Sequence, residues 1–279
     1  MILLLDMGNT RLKVARASRD GLETLGSMDH RELRQADWMQ QMAVEPARVQ
    51  RVLVASVAGP SRDKALGDAL AQAGLPAPEF AVVKARACGV VCAYPEPERM
   101  GVDRWVALLG ARALSDRPVC VADAGSALTV DGMNSQGSHL GGMIAPGLAM
   151  MRNSLLSGTG NLAAFSQGSR HVTGPLFAAD TRPAIQLGAI EAAAGLVERA
   201  LRAVAEHTGE PPDLLITGGD GEALLEALGG ASAPTAGKQG AVWLDPDLAF
   251  RGLARLMLST SGDILPDGAL LPRVAPPSD

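Results

Sequence analysis

The sequence predicts an α/β protein with two related domains, each containing a mixed five-stranded sheet flanked by helices. The first observation is a repeat: an apolar run ending in Asp-x-Gly-polar occurs at residues 3–10 and again at residues 120–127. Both copies are followed by further β-rich stretches and then by alternating helical and strand patterns. The chain has 279 residues, enough for one large domain or two of modest size, and the internal repeat favours two.

The first half of the chain alternates helix and strand patterns after three initial strands. A glycine turn separates the first two strands, and an Asp-Gly turn signal precedes the third. The predicted elements are strands at residues 3–6, 11–18 and 22–28, a helix at 30–43, a strand at 49–57, a helix at 61–73, a strand at 79–83 and a helix at 103–114. This order is typical of a ribonuclease H-like domain.

The second half repeats that order after a break at Pro118. The predicted elements are strands at residues 119–122, 128–131 and 138–144, helices at 146–156 and 181–206, a strand at 213–217, a helix at 222–228, a strand at 241–244 and a helix at 246–258. A stretch rich in Gly, Ser and Asn predicts an exposed loop at 157–174, and the Pro- and Gly-rich end of the chain predicts a mobile tail. We therefore place an N-terminal domain at 1–117 and a C-terminal domain at 118–279.

Composition favours a small-molecule partner over a nucleic acid or a membrane. The formal net charge is −5 at pH 7 and the chain has no Lys/Arg run, so we expect no nucleic-acid footprint. Asp6 interrupts the apolar start, and no apolar run approaches the roughly 20 residues of a membrane span. We therefore expect a soluble, cytoplasmic protein.

The cysteines and histidines give no sign of a metal centre. The three cysteines are odd in number and unevenly spaced, so we expect reduced structural thiols rather than a disulfide framework. Cys88 and Cys92 lie four positions apart without a second Cys or His pair close in sequence, which argues against zinc. The histidines are expected at the surface; they are His30, His139, His171 and His207.

The first motif runs from Asp6 to Lys13 and combines a carboxylate, a glycine turn and two cations. Glycine lets such a turn approach a ligand closely, and its backbone N–H groups can meet phosphate oxygens. Alternation along the second strand places Arg11 and Lys13 on one face, from which at least one could reach a phosphate. A single Asp-x-Gly turn is most often a plain hairpin, so the second copy gives the motif its weight.

The second copy, from Asp123 to Thr129, would face a phosphate from the other side. Alternatively, it is a remnant of duplication without a function. An aspartate that ends an apolar strand is costly unless it is paired or binds a cation, which favours a role for Asp123.

Two further segments carry candidate residues. Asp103 and Arg104 begin a predicted helix, where Asp103 is either a helix cap or a base, and Arg104 offers a fork for an anion. Upstream, Tyr94 lies in a rigid Pro-containing loop and either lines a pocket or covers the core. Gly218 and Gly219 follow a strand, where a purine or ribose could lie against the backbone, although this is also an ordinary strand-to-helix connection.

Together these motifs resemble the type III pantothenate kinases, a family of the acetate and sugar kinase, Hsp70 and actin superfamily, over nearly the whole chain. Asp6 to Lys13 resemble the family's first phosphate motif, and Tyr94 with Gly101 to Arg104 its pantothenate motif. Residues 123–127 resemble the second phosphate motif, with Ser126 where threonine is commoner. Residues 141–147 and 181–188 also resemble family segments, the latter near the substrate pocket and the dimer interface.

The resemblance implies two actin-like ATPase domains with the active site in the cleft between them, and a homodimer that converts ATP and pantothenate to ADP and 4′-phosphopantothenate. In that interpretation Asp103 is the catalytic base, and a monovalent cation, K⁺ or NH₄⁺, is bound by Asp123. Mg²⁺ accompanies ATP and contacts Asp6 through water. The implied ATP-binding residues are Asp6, Met7, Gly8, Asn9, Thr10, Arg11, Leu12, Lys13 and Ser126. The implied pantothenate-binding residues are Tyr94, Gly101, Val102, Asp103, Arg104 and Thr181.

Two other functions remain open at this point. One is another phosphotransferase or phosphatase of the same fold, which leaves the segment from Tyr94 to Arg104 unexplained. The other is a noncatalytic nucleotide-binding regulator, for which loss of Asp103 or of one phosphate turn would be expected, and both are intact.

Overall fold

The structure, a computed structural model, describes residues 1–18, 21–29, 38–158, 176–229 and 240–258. The described chain forms two compact units. Unit 1 comprises Met1–Asp116, Gln136–His139 and the described residues from Asp247 onward. Unit 2 comprises Arg117–Ser135 and Leu140–Pro246. The segment Gln136–His139 therefore belongs to unit 1, although the chain on both sides of it belongs to unit 2. The residues from Asp247 onward belong to unit 1 again.

Unit 1 contains a five-stranded mixed sheet. Its strands are β1 (Ile2–Met7), β2 (Arg11–Ser18), β3 (Gly21–Asp29), β4 (Arg51–Ser56) and β5 (Pro78–Phe80), in the spatial order β3-β2-β1-β4-β5. β1 pairs antiparallel with β2 and parallel with β4. The central strands are continuous apolar runs whose residues are buried on both faces, because helices cover a sheet that contains parallel strands.

The helices of unit 1 are α1 (Trp38–Gln41), α2 (Pro60–Gln72), α3 (Val102–Leu114) and α7 (Leu248–Leu258), and a small hairpin is formed by β6 (Arg86–Ala87) and β7 (Val90–Val91). α3 and α7 cross at two glycines. A Cβ atom at Gly110 would lie 2.2 Å from the Leu248 carbonyl oxygen, and one at Gly252 would lie 1.7 Å from the Val106 carbonyl oxygen. The two helix backbones are therefore in direct contact, and α7 supports the helix that begins with the Asp103 motif.

Unit 2 repeats the sheet of unit 1. Its strands are β8 (Val119–Ala124), β9 (Ala127–Met133), β10 (His139–Pro146), β11 (Asp213–Thr217) and β12 (Val242–Leu244), in the order β10-β9-β8-β11-β12. The helices are α4 (Leu148–Gly158), α5 (Thr181–Thr208) and α6 (Gly221–Ala227). α5 buries an alanine-rich stripe on the sheet, where small side chains allow close packing.

The predicted fold class is confirmed, since both units have the five-stranded mixed sheet flanked by helices. The units differ from the predicted division in two main respects. The segment Gln136–His139 belongs to unit 1, and α7 follows β12 in sequence but packs in unit 1 against α3. The sequence pattern also missed the β6–β7 hairpin. Of the predicted helix at 30–43, the structure describes only residues 38–43, and most of the loop predicted at 157–174 and the predicted tail lie outside the described residues. No helix within the described ranges is long and apolar enough to cross a membrane.

Candidate functional site

The first glycine turn closes the β1–β2 hairpin in unit 1. The Gly8 N–H donates to the Arg11 carbonyl oxygen at 3.1 Å, which leaves Asn9 and Thr10 exposed at the tip. The neighbouring Met7 and Leu12 side chains are buried in the core. These two residues can therefore meet a ligand only through backbone groups, whereas the tip presents both backbone and side-chain groups.

A carboxylate and an ammonium face each other at the end of this hairpin. Asp6 and Lys13 are cross-strand partners, and the Lys13 Nζ lies 3.8 Å from the Asp6 Oδ2. Burial raises the pKa of the Asp6 carboxyl above its ordinary value; the charge of Lys13 opposes this shift and that of Asp103 adds to it. Asp6, Lys13 and Asp103 therefore form one electrostatic group, in which a bound cation would relieve the cost of a buried carboxylate.

Two arginines next to the turn have different partners. The Arg11 guanidinium donates to the Ser27 side chain and carbonyl on β3, at 2.8 and 3.1 Å. Arg62, in the first turn of α2, donates from Nη1 to the Asn9 carbonyl oxygen at 3.0 Å. Of the two cations predicted for phosphate, Lys13 is the one beside Asp6. Sequence patterns do not single out Arg62, because its partner lies 53 positions away.

The start of α3 places Asp103 next to Gly101. The N-cap residue is Gly101, not Asp103, and the Asp103 Oδ1 accepts from the Arg104 N–H at 2.8 Å. A Cβ atom at Gly101 would lie 2.5 Å from that same oxygen. Any side chain at position 101 would therefore displace the carboxylate, so the glycine of this motif is required by the position of Asp103.

Arg104 and Tyr94 contact each other in the structure. Arg104 is buried, and its Nη1 donates to the Tyr94 hydroxyl at 3.0 Å while the guanidinium carbon lies 5.8 Å from the ring centroid. Tyr94 also contacts His139, whose ring is parallel to the tyrosine ring within 9° at a centroid distance of 6.2 Å. The expected surface location of His139 is wrong, because this residue is only 5% exposed.

The second glycine turn joins β8 to β9 in unit 2 and is one residue shorter than the first. The Gly125 N–H donates to the Ala127 carbonyl oxygen at 3.0 Å, so Ser126 alone forms the exposed tip. Asp123 pairs across the strands with Thr129, as Asp6 pairs with Lys13. The two copies therefore differ: the position opposite the aspartate holds a hydroxyl in unit 2 and an ammonium in unit 1.

Two further glycines pack against this second turn. The Gly147 N–H donates to the Ser126 carbonyl oxygen at 3.1 Å, and a Cβ atom there would lie 2.2 Å from the Gly125 carbonyl oxygen. Gly218 adopts a φ of +94°, and a Cβ atom there would lie 2.5 Å from the Asp123 Oδ1. The structure thus brings the Gly-Gly segment, which was inconclusive in sequence, directly to the Asp123 carboxylate.

Thr181 is the first residue of α5, in unit 2, and is exposed. Its neighbour Asp180 caps the helix by accepting from the Arg182 N–H at 3.0 Å. Among the residues that the structure describes, no group of three or more His, Cys, Asp or Glu side chains could hold a metal ion. A cation at Asp6 or Asp123 would therefore need backbone, substrate or water oxygens as its other ligands.

The chain is similar to known proteins along most of its length. A family model for type III pantothenate kinase matches residues 2–203. The type III pantothenate kinase of Nitrosococcus oceani is 34% identical over 266 residues, covering 94% of this chain and 95% of the relative. That of Dechloromonas aromatica is 40% identical over 203 residues, covering 71% and 80%.

A solved structure supports the fold. It is that of a Campylobacter jejuni protein described as a Baf family transcriptional activator, with a TM-score of 0.55 and 19% identity. The match covers 94% of this chain and 100% of that chain. At such low identity the likeness concerns the fold alone.

Proposed function

The chain belongs to the type III pantothenate kinase family, and from that membership we infer that it transfers the γ-phosphoryl group of ATP to pantothenate, giving 4′-phosphopantothenate in the first step of coenzyme A synthesis. The observation that carries this function is the match of the family model to residues 2–203, a range that contains both glycine turns and the segment from Tyr94 to Arg104.

We propose that Asp103 is the catalytic base. Its carboxylate lies at the N-terminal end of α3 beside Gly101, and it is close enough to Asp6 to affect the pKa of that residue. A carboxylate that accepts the proton of the primary hydroxyl of pantothenate assists attack on the γ-phosphorus. The hydrogen bond from the Arg104 backbone N–H to Oδ1 fixes the orientation of the carboxylate and supports this role.

The first glycine turn would bind the phosphates of ATP. The exposed backbone at Asn9 and Thr10 can donate N–H groups, and Lys13 supplies a positive charge next to the turn. Asp6 fits a Mg²⁺ ion held through water, because a hard cation prefers carboxylate oxygen and would offset the burial that raises the pKa of Asp6. When bound, Mg²⁺ neutralises charge on the phosphate oxygens.

The second glycine turn would hold a monovalent cation, K⁺ or NH₄⁺, at Asp123. The donors near this position are oxygens, namely the Asp123 carboxylate and the Ala124 carbonyl, both packed against Gly218. Thr129 stands opposite Asp123 where the first copy has Lys13. A bound cation would add positive charge where the transferred phosphoryl group develops negative charge.

Pantothenate would be bound by the segment that contains Tyr94 and Arg104. The buried guanidinium is already oriented by the tyrosine hydroxyl, so it is preorganised for a carboxylate or another polar end of the substrate. Gly101 and Val102 complete the segment in unit 1, and we propose Thr181 as a further substrate contact from the exposed end of α5.

We further propose that the enzyme is a homodimer and acts in the cytoplasm. Nine large apolar side chains are exposed among the described residues, and six of them lie between positions 143 and 177 in unit 2: Met143, Ile144, Met150, Leu155, Leu176 and Phe177. Exposed apolar side chains in this number support a protein interface in our proposal. The three cysteines are free thiols, the usual state in a reducing compartment.

The test is ADP release by the purified protein with MgATP, with and without pantothenate, in KCl or in NaCl. Release that depends on pantothenate is expected, together with formation of 4′-phosphopantothenate detected by mass spectrometry. Higher activity in KCl than in NaCl is expected from the proposed cation site. Absence of any response to pantothenate in KCl would contradict the proposed reaction, whereas equal rates in both salts would contradict only the cation site. Light scattering tests the dimer separately.

A further inference from the structure

His139 is a buried residue outside the sequence motifs, yet it contacts the pantothenate segment. Its ring is stacked on Tyr94 in a parallel, offset arrangement, and its Nδ1 accepts from the Ala93 N–H at 3.3 Å. The residue next to Tyr94 in sequence is thus hydrogen-bonded to the ring that stacks on Tyr94. Arg104 lies on the far end of the same tyrosine, bonded to its hydroxyl.

The backbone around His139 is fixed independently of its ring. The Val91 N–H donates to the Gly137 carbonyl oxygen at 2.9 Å, and Gly137 approaches the Gly89 carbonyl so closely that a Cβ atom would lie 1.9 Å from it. The segment Gln136–His139 therefore belongs to unit 1 by its own backbone contacts. Removing the imidazole leaves this anchor in place, so its effect on Tyr94 can be measured separately.

The contacts define what the imidazole does. The Ala93 N–H donates to Nδ1, and this hydrogen bond orients the imidazole. Tyr94 lies in a loop rather than in a helix or strand. The regular backbone hydrogen bonds of secondary structure therefore do not hold this residue in place, and its ring needs contacts from other side chains. The stacked His139 ring with its hydrogen bond from Ala93, and the Arg104 hydrogen bond to the tyrosine hydroxyl, supply that restraint.

We propose that His139 is a positioning residue for pantothenate recognition, acting through Tyr94 and Arg104 rather than by touching the reacting atoms. This inference rests on the proposed function, since it concerns the residues that would bind pantothenate. It predicts that His139 affects the apparent affinity for pantothenate and leaves that for ATP unchanged, because the first glycine turn is built from other residues.

The experiment is steady-state kinetics with pantothenate and MgATP varied in turn, on the wild type and on H139A, H139F and H139Q. H139A is expected to raise the pantothenate KM about tenfold, because one stacked pair and one hydrogen bond are lost. H139F keeps a flat ring and H139Q keeps an acceptor, so each is expected to give an intermediate value. The MgATP KM is expected to stay within about twofold of the wild-type value in all three variants, because distant sites without shared contacts usually affect each other by no more than this. L70A, which truncates a buried side chain of α2, is the control for general destabilisation.

A double-mutant cycle separates positioning from a merely structural role. In a Y94A background, H139A is expected to change the pantothenate KM by no more than about twofold further, because its target is already absent. Multiplicative effects, or a wild-type pantothenate KM in H139A, would overturn the proposal while leaving the kinase function intact. If H139A does not fold, the folded H139F and H139Q decide: wild-type pantothenate KM values in both overturn it. A wild type without pantothenate-dependent ADP release would overturn the proposed function and this inference together.

Discussion

The crossing of α3 and α7 predicts that Gly252→Ala is destabilising although alanine favours helices. The added Cβ atom would lie 1.7 Å from the Val106 carbonyl oxygen and 2.8 Å from the Gly110 backbone nitrogen. These neighbours are backbone atoms of α3, so no side chain can rotate away. To restore an ordinary contact, the helices must separate by about 1.7 Å at this point.

The magnitude follows from two opposing terms. Overpacking of a close-packed interior costs typically about 1–3 kcal/mol, and a clash with backbone belongs at the upper end. Replacing glycine by alanine within a helix recovers about 1 kcal/mol. We expect a net loss of about 2 kcal/mol, which corresponds to a fall in melting temperature of roughly 4–8 °C for a unit of this size.

Gly67→Ala is the matched control, because Gly67 also lies within a helix of unit 1. Its added Cβ atom would meet only the Pro78 Cγ, at an ordinary 3.9 Å. The expected result is an increase in melting temperature, since about 1 kcal/mol of helix preference is gained without a clash. Thermal unfolding followed by circular dichroism at 222 nm measures both variants. A G252A protein as stable as G67A would refute the close helix crossing.

Three other substitutions, at Asp103, Arg62 and Asp6, test residues around the first turn. D103N is expected to bind ATP and melt like the wild type, with kcat reduced by about 100-fold or more, and near-normal turnover would exclude a catalytic base at this position. R62A is expected to raise the MgATP KM by about threefold to tenfold, because one hydrogen bond to the Asn9 carbonyl oxygen is lost. R16A, which removes an arginine from an exposed ion pair, is the control and is expected to leave the MgATP KM unchanged. Folding raises the pKa of the Asp6 carboxyl above 3.8 because the group is buried. The contribution of this carboxyl to the free energy of unfolding therefore falls as pH rises above 3.8. D6N should therefore melt at a higher temperature than the wild type at pH 7, and this difference should shrink as pH falls towards 4. The enzymatic activity of D6N should be lower than that of the wild type. Equal melting temperatures at pH 7 would contradict a cost of burying the Asp6 carboxylate.

The sequence predicts the sheets well because their signal is local. Alternating and continuous apolar runs bounded by glycine turns define β2 and β11 with the bounds that the structure has. The location of α7 is not a local property: its pattern shows that one face must be buried, but not which helix covers it. Its packing against α3 through Gly110 and Gly252, and against β1 and β4, assigns it to unit 1.

The candidate site divides in the same way. Asp6, Asp103 and Arg104 belong to short motifs whose members are close in sequence, so the pattern selects them as candidates, although it leaves Asp103 open as a helix cap or a base. Arg62 contacts the Asn9 carbonyl oxygen, and His139 contacts the Tyr94 ring and the Ala93 N–H. Both residues come from distant parts of the chain, and no periodicity encodes such contacts. Residues that support a site from elsewhere in the fold are thus the ones that sequence reading misses.

The unequal turns of the two units lead to a last prediction. In unit 1 the protein places Lys13 opposite Asp6, whereas in unit 2 Thr129 stands opposite Asp123. If unit 2 takes its positive charge from K⁺, then Thr129→Lys should supply that charge covalently, because position 129 has the same cross-strand register as position 13. T129K is expected to be less stimulated by KCl over NaCl than the wild type, and to gain activity in NaCl. A variant that keeps the full stimulation by K⁺, or that is inactive in both salts, would contradict the assignment of the cation to Asp123.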